Sequence, residues 1–230
     1  NDIDGISHKI FFKTSEKMSD VNNNSIQCVV TSPPYWDLKN YNVDSQIGYK
    51  ETYEQYHGRL EHVWKECFRI LKKDGTVWIN VHSKMYNSDT VLIPQDIIKS
   101  MTKIGFFLKD ILIWHKSSGI PSGSQRLSQH FEYILFFSKQ KENFKFRKNN
   151  LDAILDYRIS NLTTIGNVWN IKKKAGSISK GMPHPAIFPV EMIRRIIKVS
   201  TDESDTVLDP FMGSGTTTLA AMELQRNSIG

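Results

Sequence analysis

The sequence predicts an α/β fold with a mostly parallel sheet and helices on both of its faces. Three observations lead there. Short apolar runs without alternation, such as "SIQCVVT", "GTVWINV" and "DTVLDPF", read as strands buried on both faces. Between them lie stretches whose apolar residues recur at three- and four-residue steps, the spacing of amphipathic helices. The two kinds alternate along the chain, which is the pattern of strands joined by crossover helices.

The elements follow in order. Ser25 to Thr31 is a strand that Pro33 and Pro34 end. In "YEQYHGRLEHVWKECFRIL", Tyr56, Leu60, Val63, Trp64, Cys67, Ile70 and Leu71 make one helical stripe, closed by "KKDG". Gly75 to Val81 is the next strand, and "LIPQDIIKSMTKIG" is a helix with Gly105 in the usual C-terminal position. "FFLKDILIWHK" and "HFEYILFFSK" are two strands joined by "SSGIPSGSQRLSQ", whose glycines, serines and proline predict a surface loop. The helix "PVEMIRRIIKVS", the strand "DTVLDPF", a glycine turn and the helix "TTTLAAMELQ" complete the series. From Lys139 to Met182 the periodicity fails, and Lys, Arg and Asn interleave with aromatics, which predicts an insertion on the scaffold.

The 230 residues suit one domain, residues 1–230, with a buried core. The chain begins at Asn1 and stops at Gly230 just after an apparent strand start, so both ends are read as trimmed. Lys and Arg number 30 against 24 Asp and Glu, a net charge of +6 that suits a polyanionic partner without requiring one. Cys28 and Cys67 are too few for a disulfide framework or a structural zinc site, which favours a reducing, cytoplasmic setting. There is no basic start followed by an apolar stretch and no apolar run of membrane length, so neither export nor a membrane is expected.

Two motifs carry chemistry. In "VLDPFMGSGTTTLAA" a strand ends in an acidic residue, then come Gly213 and Gly215, then a helix. Such glycines let a ligand approach the backbone, and free N–H groups at the helix start favour a negative group. A phosphate-binding P-loop needs Gly-Lys-Ser/Thr, whereas Thr216 and Thr217 follow Gly215, and a dinucleotide fingerprint lacks its third glycine. A smaller, zwitterionic nucleoside ligand remains. In "VVTSPPYW" the prolines make Ser32-Pro33-Pro34 a rigid extended segment whose hydroxyl and carbonyls point in fixed directions. Tyr35 adds a flat face on which a flipped nucleobase can stack while the acceptors hold its exocyclic amine. Both motifs fall beyond the C-terminal ends of strands, where open α/β sheets bind ligands.

Together, "TSPPYW" and "DPFMGSGTT" resemble the DNA amino-methyltransferases that move a methyl group from S-adenosylmethionine to the exocyclic amine of cytosine (N4) or adenine (N6). The motif order, catalytic first and glycine last, is similar to that of the permuted beta class found in bacterial restriction-modification systems. "HPAIFPVEMIRRII" resembles that group's cofactor-pocket helix and its lead-in. The resemblance runs from Ser25 to Gly230. It implies a Rossmann-like methyltransferase fold, circularly permuted, with a C-terminal antiparallel hairpin element and a target-recognition insertion at about residues 139–182.

The resemblance also implies S-adenosylmethionine as cofactor, with neither a metal nor a covalent enzyme intermediate. Its catalytic residues map to Ser32, Pro33, Pro34 and Tyr35. Ser32 and the Pro33 carbonyl would pull the amine hydrogens out of plane and restore the nitrogen's lone pair, while Tyr35 stacks on the base. Cofactor contacts map to Thr31, Ser32, Asp209, Pro210, Phe211, Gly213, Gly215, Thr216 and Thr217, and in the lead-in to His184, Pro185 and Phe188. Relatives carry Gly-Asp near the start, whose acid helps bind the adenosine; Lys13, Thr14 and Ser15 stand in that region of this chain. The acidic residue that would hold the ribose should follow "NSIG".

Members with Ser-Pro-Pro-Tyr are mostly cytosine-N4 enzymes, so the expected activity is site-specific cytosine-N4 methylation of double-stranded DNA. A serine hydroxyl accepts from either amine, so adenine-N6 methylation is the alternative, and a DNA-binding relative without catalysis is a third. Lys139, Lys141, Lys145, Arg147, Lys148 and Lys172, Lys173 and Lys174 are expected to meet phosphates. Lys116, Ser122 and Arg126, at or within the loop Ser117 to Ser128, are expected to clamp DNA, the loop being mobile without it. The partners implied are DNA and, by function, a cognate restriction endonuclease, with the protein acting as a monomer or homodimer.

Overall fold

The computed structural model describes residues 2–3, 5–36, 46–120, 126–151, 166–172 and 189–230. Along the chain come β1 (Asp2–Ile3), β2 (Ile6–Lys9), β3 (Ile26–Thr31), α1 (Tyr53–Ile70), β4 (Leu71–Val81), β5 (Lys84–Tyr86), β6 (Asp89–Val91), α2 (Ile93–Ile104), β7 (Phe107–Ile120), β8 (Gln129–Ser138), β9 (Val168–Asn170), α3 (Val190–Ser200), β10 (Thr206–Leu208), α4 (Thr216–Glu223) and β11 (Asn227–Ile229). Nine of the strands form one sheet in the order β1-β2-β11-β10-β3-β4-β8-β7-β9, and β5 pairs with β6 apart from it. The run from β2 through β4 is parallel, β8 is reversed, and β7 and β9 return to the common direction. The fold is therefore a mostly parallel α/β sheet. Its antiparallel hairpin is β7–β8, which stands mid-chain rather than at the C-terminal end, because the permuted order leaves the glycine strand and its helix for last.

Why these residues make these elements is plain in β3, where every position is buried. Val29 turns to a core with Tyr56, Leu60, Val63, Trp64, Cys67 and Ile70 of α1 and Ile97 and Met101 of α2. Cys28 and Val30 turn to the other core, with Met192, Ile193, Ile196 and Ile197 of α3 and Ala220 and Ala221 of α4. Helices on both faces leave no solvated side, which is why the strand shows no polar alternation. Thr52 starts α1 with a reciprocal capping box to Gln55. The helix ends at Ile70, and β4 starts at once with Leu71, ahead of "KKDG".

The topology also makes the site. From β3 the chain goes through α1 to β4 on one side, and from the neighbouring β10 it goes through α4 to β11 on the other. The two departures leave a crevice above β3 and β10, the switch point at which such sheets hold ligands. We call this edge the carboxyl rim. The C-terminal ends of β7 and β9 and the start of β8 share it, and the starts of β3, β4 and β10 form the opposite, amino rim. Strands β2 and β9 were not legible in the sequence, and Lys139–Met182 is correspondingly less separate than expected, since β9 adds to the sheet beside β7.

Candidate functional site

At the carboxyl rim the two motifs meet through one carboxylate. Asp209, directly after β10, is 1% exposed. Its Oδ1 accepts from the Thr31 hydroxyl at 2.6 Å and from the Phe211 N–H at 3.0 Å, and its Oδ2 accepts from the Thr217 hydroxyl at 2.7 Å. Asp209 thus ties the end of β3 to the start of α4, although 178 residues separate it from Thr31. Burial pushes the carboxyl up to about 6, against the pull of those same three donors.

The glycine turn follows. Gly213 has φ of 54° and Gly215 of 81°, the left-handed region that glycine enters without a steric penalty. A Cβ on Gly215 would meet nothing within 4 Å, so the space beside the turn is open. Gly215 caps α4 with no side chain bonded to the helix end, so the first-turn N–H groups at buried Thr216 and Thr217 have no side-chain acceptor. A cleft opens between the segment Phe11–Val21 and the ends of β10 and β11, and Asp209 and Pro210 at the head of the glycine turn line it. Phe11, Met18, Val21, Leu208 and Ile229 give it apolar walls; Lys13 and Asp20, joined by a 2.8 Å ion pair, and Thr14 and Ser15 give it polar groups. An apolar slot of this kind, with Asp209 and Pro210 in its wall, suits an aromatic base. The segment with Lys13, Thr14 and Ser15 in place of Gly-Asp does line this cleft, and Gly230 stands at its edge.

Ser32, Pro33, Pro34 and Tyr35 leave the end of β3 without regular structure. Thr31, which holds Asp209, immediately precedes them, so the proline loop starts at the cleft. Tyr56 of α1 donates to the Pro34 carbonyl at 2.8 Å, and the Trp36 indole donates to the Glu51 carbonyl at 2.8 Å. The far end of the loop is thereby pinned. The Ser32 hydroxyl lies 3.5 Å from the Tyr35 hydroxyl, which donates to Glu132 Oε2 at 3.2 Å. The Tyr35 ring rests edge-on against His82, with 4.5 Å between centroids. Burial, and then the charge of Glu132, hold the Tyr35 phenol well above its ordinary value.

The expected DNA contacts divide between the two rims. Lys116 is at the carboxyl rim but only 5% exposed, and its ammonium is 2.8 Å from Glu132 Oε1, so burial and an ion pair withdraw it from the DNA it was expected to clamp. Exposed Arg126 and Lys172 stand at the same rim, after β7 and β9 respectively. Lys145 instead bonds Asp202 and Asp205 at 3.0 and 2.8 Å, and Arg147 bonds Asp202 at 2.7 Å. Lys139 donates to the Leu71 carbonyl at 2.6 Å. Backbone bonds from Lys145 to Asp74 and from Arg147 to Val199 fix this stretch, with Lys148 next to it, along the amino rim. The structure does not bring Lys139, Lys145, Arg147 or Lys148 to the site, because their segment crosses under the strand starts. Ser122, Lys173, Lys174, His184, Pro185 and Phe188 lie outside the described residues, as do residues 121–125 of the expected loop, whose first four positions continue β7.

Sequence reasoning passed over Glu132, Tyr56, His82 and Asp20. The available signal for Glu132 was a single acid inside the apolar run "HFEYILFF". Among the described residues no cluster of His, Cys, Asp or Glu suits a metal, and no helix is long and apolar enough to cross a membrane.

A family model described as DNA methylase, covering N6 and N4 enzymes, matches residues 26–230. The chain is 34% identical over 262 residues to the type II methyltransferase M.MjaI of Methanocaldococcus jannaschii, covering 97% of this chain and 86% of that one. It is 29% identical to the type II methyltransferase M.Cfr9I of Citrobacter freundii, covering 90% and 76%. Among solved structures, a candidate DNA modification methylase of Thermus thermophilus, complexed with S-adenosyl-L-methionine, superposes with a TM-score of 0.70 at 27% identity, covering 97% and 86%. The PvuII DNA methyltransferase (cytosine-N4-specific) superposes with a TM-score of 0.75 at 22% identity over 97% and 80%, a likeness of fold.

Proposed function

The chain belongs to the DNA methylase family of N6 and N4 amino-methyltransferases, and from that premise we propose that it methylates the exocyclic N4 amine of a flipped cytosine in double-stranded DNA. S-adenosyl-L-methionine is the methyl donor, and it supplies a methyl group on a sulfonium. The observation that carries the choice of base is Ser32, a hydroxyl at the first position of the proline loop, where the resemblance associates serine with cytosine and Asp or Asn with adenine. Adenine N6 is the alternative product.

In this reading the chain's own residues do the following. The cleft walled by Asp209 and Pro210 holds the donor's nucleoside between Phe11, Val21 and Ile229, and the start of α4, which follows in the chain, offers N–H groups to its carboxylate. Ser32 and the Pro33 carbonyl accept the two amine hydrogens. Tyr56 occupies the neighbouring Pro34 carbonyl and so keeps the loop's carbonyls in register. Tyr35 faces the base. Holding the amine beside the methyl group is worth much of the rate, because orientation removes an entropic barrier of several kcal/mol, on the order of 7–11 in favourable cases. By function the partner is a restriction endonuclease of the same target sequence, and the protein works as a monomer or homodimer. The relatives' type II names support this setting.

Mass spectrometry of nucleosides from DNA treated with the protein and S-adenosyl-L-methionine tests the reading. N4-methylcytosine is expected. N6-methyladenine as the sole product would overturn the choice of base.

A further inference from the structure

The Tyr35 hydroxyl does not end in solvent. It donates to Glu132 Oε2 at 3.2 Å, while Lys116 donates to Oε1 of the same carboxylate at 2.8 Å. The Lys116 and Glu132 side chains are 7% and 13% exposed, and the ammonium also lies over the Trp114 ring, 5.6 Å from its centroid. The strands produce this pairing. Trp114 of β7 stands opposite Glu132 of β8, and Lys116, two residues on, returns to the same face just where the register shifts between His115 and Ile120. A buried ion pair gains little net stability over apolar residues of the same size, so its presence beside a reacting serine asks for a reason in chemistry.

The reason lies in the direction of the hydrogen bonds. A hydroxyl both donates and accepts, so the Ser32–Tyr35 pair alone has two senses. If Tyr35 donates to Ser32, the serine proton is free to point at the target amine, where a donor is useless. A carboxylate oxygen accepts, so Glu132 accepts the hydrogen bond that the Tyr35 hydroxyl donates. The Tyr35 oxygen is then left to receive the Ser32 proton across their 3.5 Å separation. The Ser32 lone pairs are left for the amine hydrogens. Lys116 pairs with the other oxygen of the same carboxylate and so holds it in place.

Resting on the methyltransferase reading above, we propose that Glu132 and Lys116 are positioning residues of methyl transfer, which orient the Ser32 hydroxyl through Tyr35 so that its oxygen acts as an acceptor. They touch neither base nor donor. Their effect therefore falls on turnover rather than on binding.

Steady-state methylation with Glu132→Ala, Tyr35→Phe, the double variant of these two, and Glu132→Gln combined with Lys116→Met tests this, with thermal melting and calorimetric S-adenosyl-L-methionine binding alongside. Glu132→Ala should lower kcat about ten- to hundredfold, the worth of one hydrogen bond to a charged group, with the DNA KM within about twofold. Adding Glu132→Ala to Tyr35→Phe should cost no more in kcat, because the path is already cut. The neutral pair Glu132→Gln with Lys116→Met keeps an acceptor for Tyr35 without a lone buried charge, and should recover most of the rate. Wild-type kcat in a folded Glu132→Ala variant, or multiplicative losses in the double variant, overturns the proposal. Should Glu132→Ala not fold, wild-type kcat in Tyr35→Phe overturns it equally. Wild-type protein that methylates neither base instead overturns the methyltransferase reading itself, and this inference with it.

Discussion

Asp209 shows how one residue can be legible in kind and not in use. Its place between a strand and a glycine turn marks it as part of the site, and the resemblance assigns it to the cofactor. In the structure its carboxylate is spent on Thr31, Thr217 and the Phe211 N–H. No local spacing announces a partner 178 residues away. The same burial makes a testable sign. Its folded carboxyl is raised from 3.8 to about 6. A group whose pKa is raised on folding contributes stability that is full below its unfolded value and is lost as pH rises through the folded one. Asp209→Asn keeps an acceptor for Thr31 and for the Phe211 N–H but carries no charge to bury. Relative to wild type, the variant should therefore gain stability between pH 4 and pH 7, by up to about 2–3 kcal/mol for a shift of this size. Urea unfolding of both proteins across that range measures it. Two stability curves that stay parallel would show that the three hydrogen bonds cancel the cost of the charge.

Among the elements, the long buried strands and amphipathic helices were readable, and the short ones were not. The stripe of α1 runs through Tyr56, Leu60, Val63, Trp64, Cys67 and Ile70 as its spacing requires. The strands β2 and β9, "ISHK" and "VWN", are too short and too polar to show a period, and only the neighbours β11 and β7 make them strands. The start of β4 was misplaced for a similar reason. "KKDG" reads as a helix stop, yet Leu71 pairs with Ile26 and the register of β3 against β4 shifts between Ile26 and Cys28. The irregularity leaves Gly75 close against Leu71. A Cβ on Gly75 would sit 2.6 Å from Leu71 Cγ and 3.0 Å from the Gln27 carbonyl oxygen. Leu71 is fully buried and cannot swing clear, and the carbonyl belongs to the central strand. Gly75→Ala should thus destabilise the protein by about 1–3 kcal/mol, as overpacking does. An unfolding midpoint unchanged from wild type would mean that the β3–β4 irregularity relaxes at little cost.

At the scale of the whole molecule, the net charge of +6 suggested a polyanion but carried no information on which side would meet it. The sheet supplies that information. Its direction puts the proline loop, the glycine turn, Arg126 and Lys172 at the carboxyl rim, and it puts Lys139, Lys145, Arg147 and Lys148 at the amino rim, where Asp202 and Asp205 neutralise two of them. On the proposed reading a base flipped from a duplex must reach Ser32, which would lay the duplex across the carboxyl rim. The parallel strand β4 alone is 11 residues long, about 36 Å at 3.3 Å per residue. Charges at its far end act across several Debye lengths of about 8 Å at physiological salt, and add little to binding. Every phosphate that the protein no longer neutralises should lower the salt dependence of binding by about one unit of slope in log K against log salt. Replacing Arg126 and Lys172 together by alanine should therefore weaken DNA binding at all sequences and flatten that slope by about two. Replacing the exposed amino-rim residues Lys141 and Lys148 removes the same charge from the chain, so net charge is controlled. This second pair should leave both affinity and slope near wild type. Fluorescence anisotropy on a short duplex over a salt series separates the two, and equal losses from both pairs would mean that DNA wraps beyond the rim that holds Ser32.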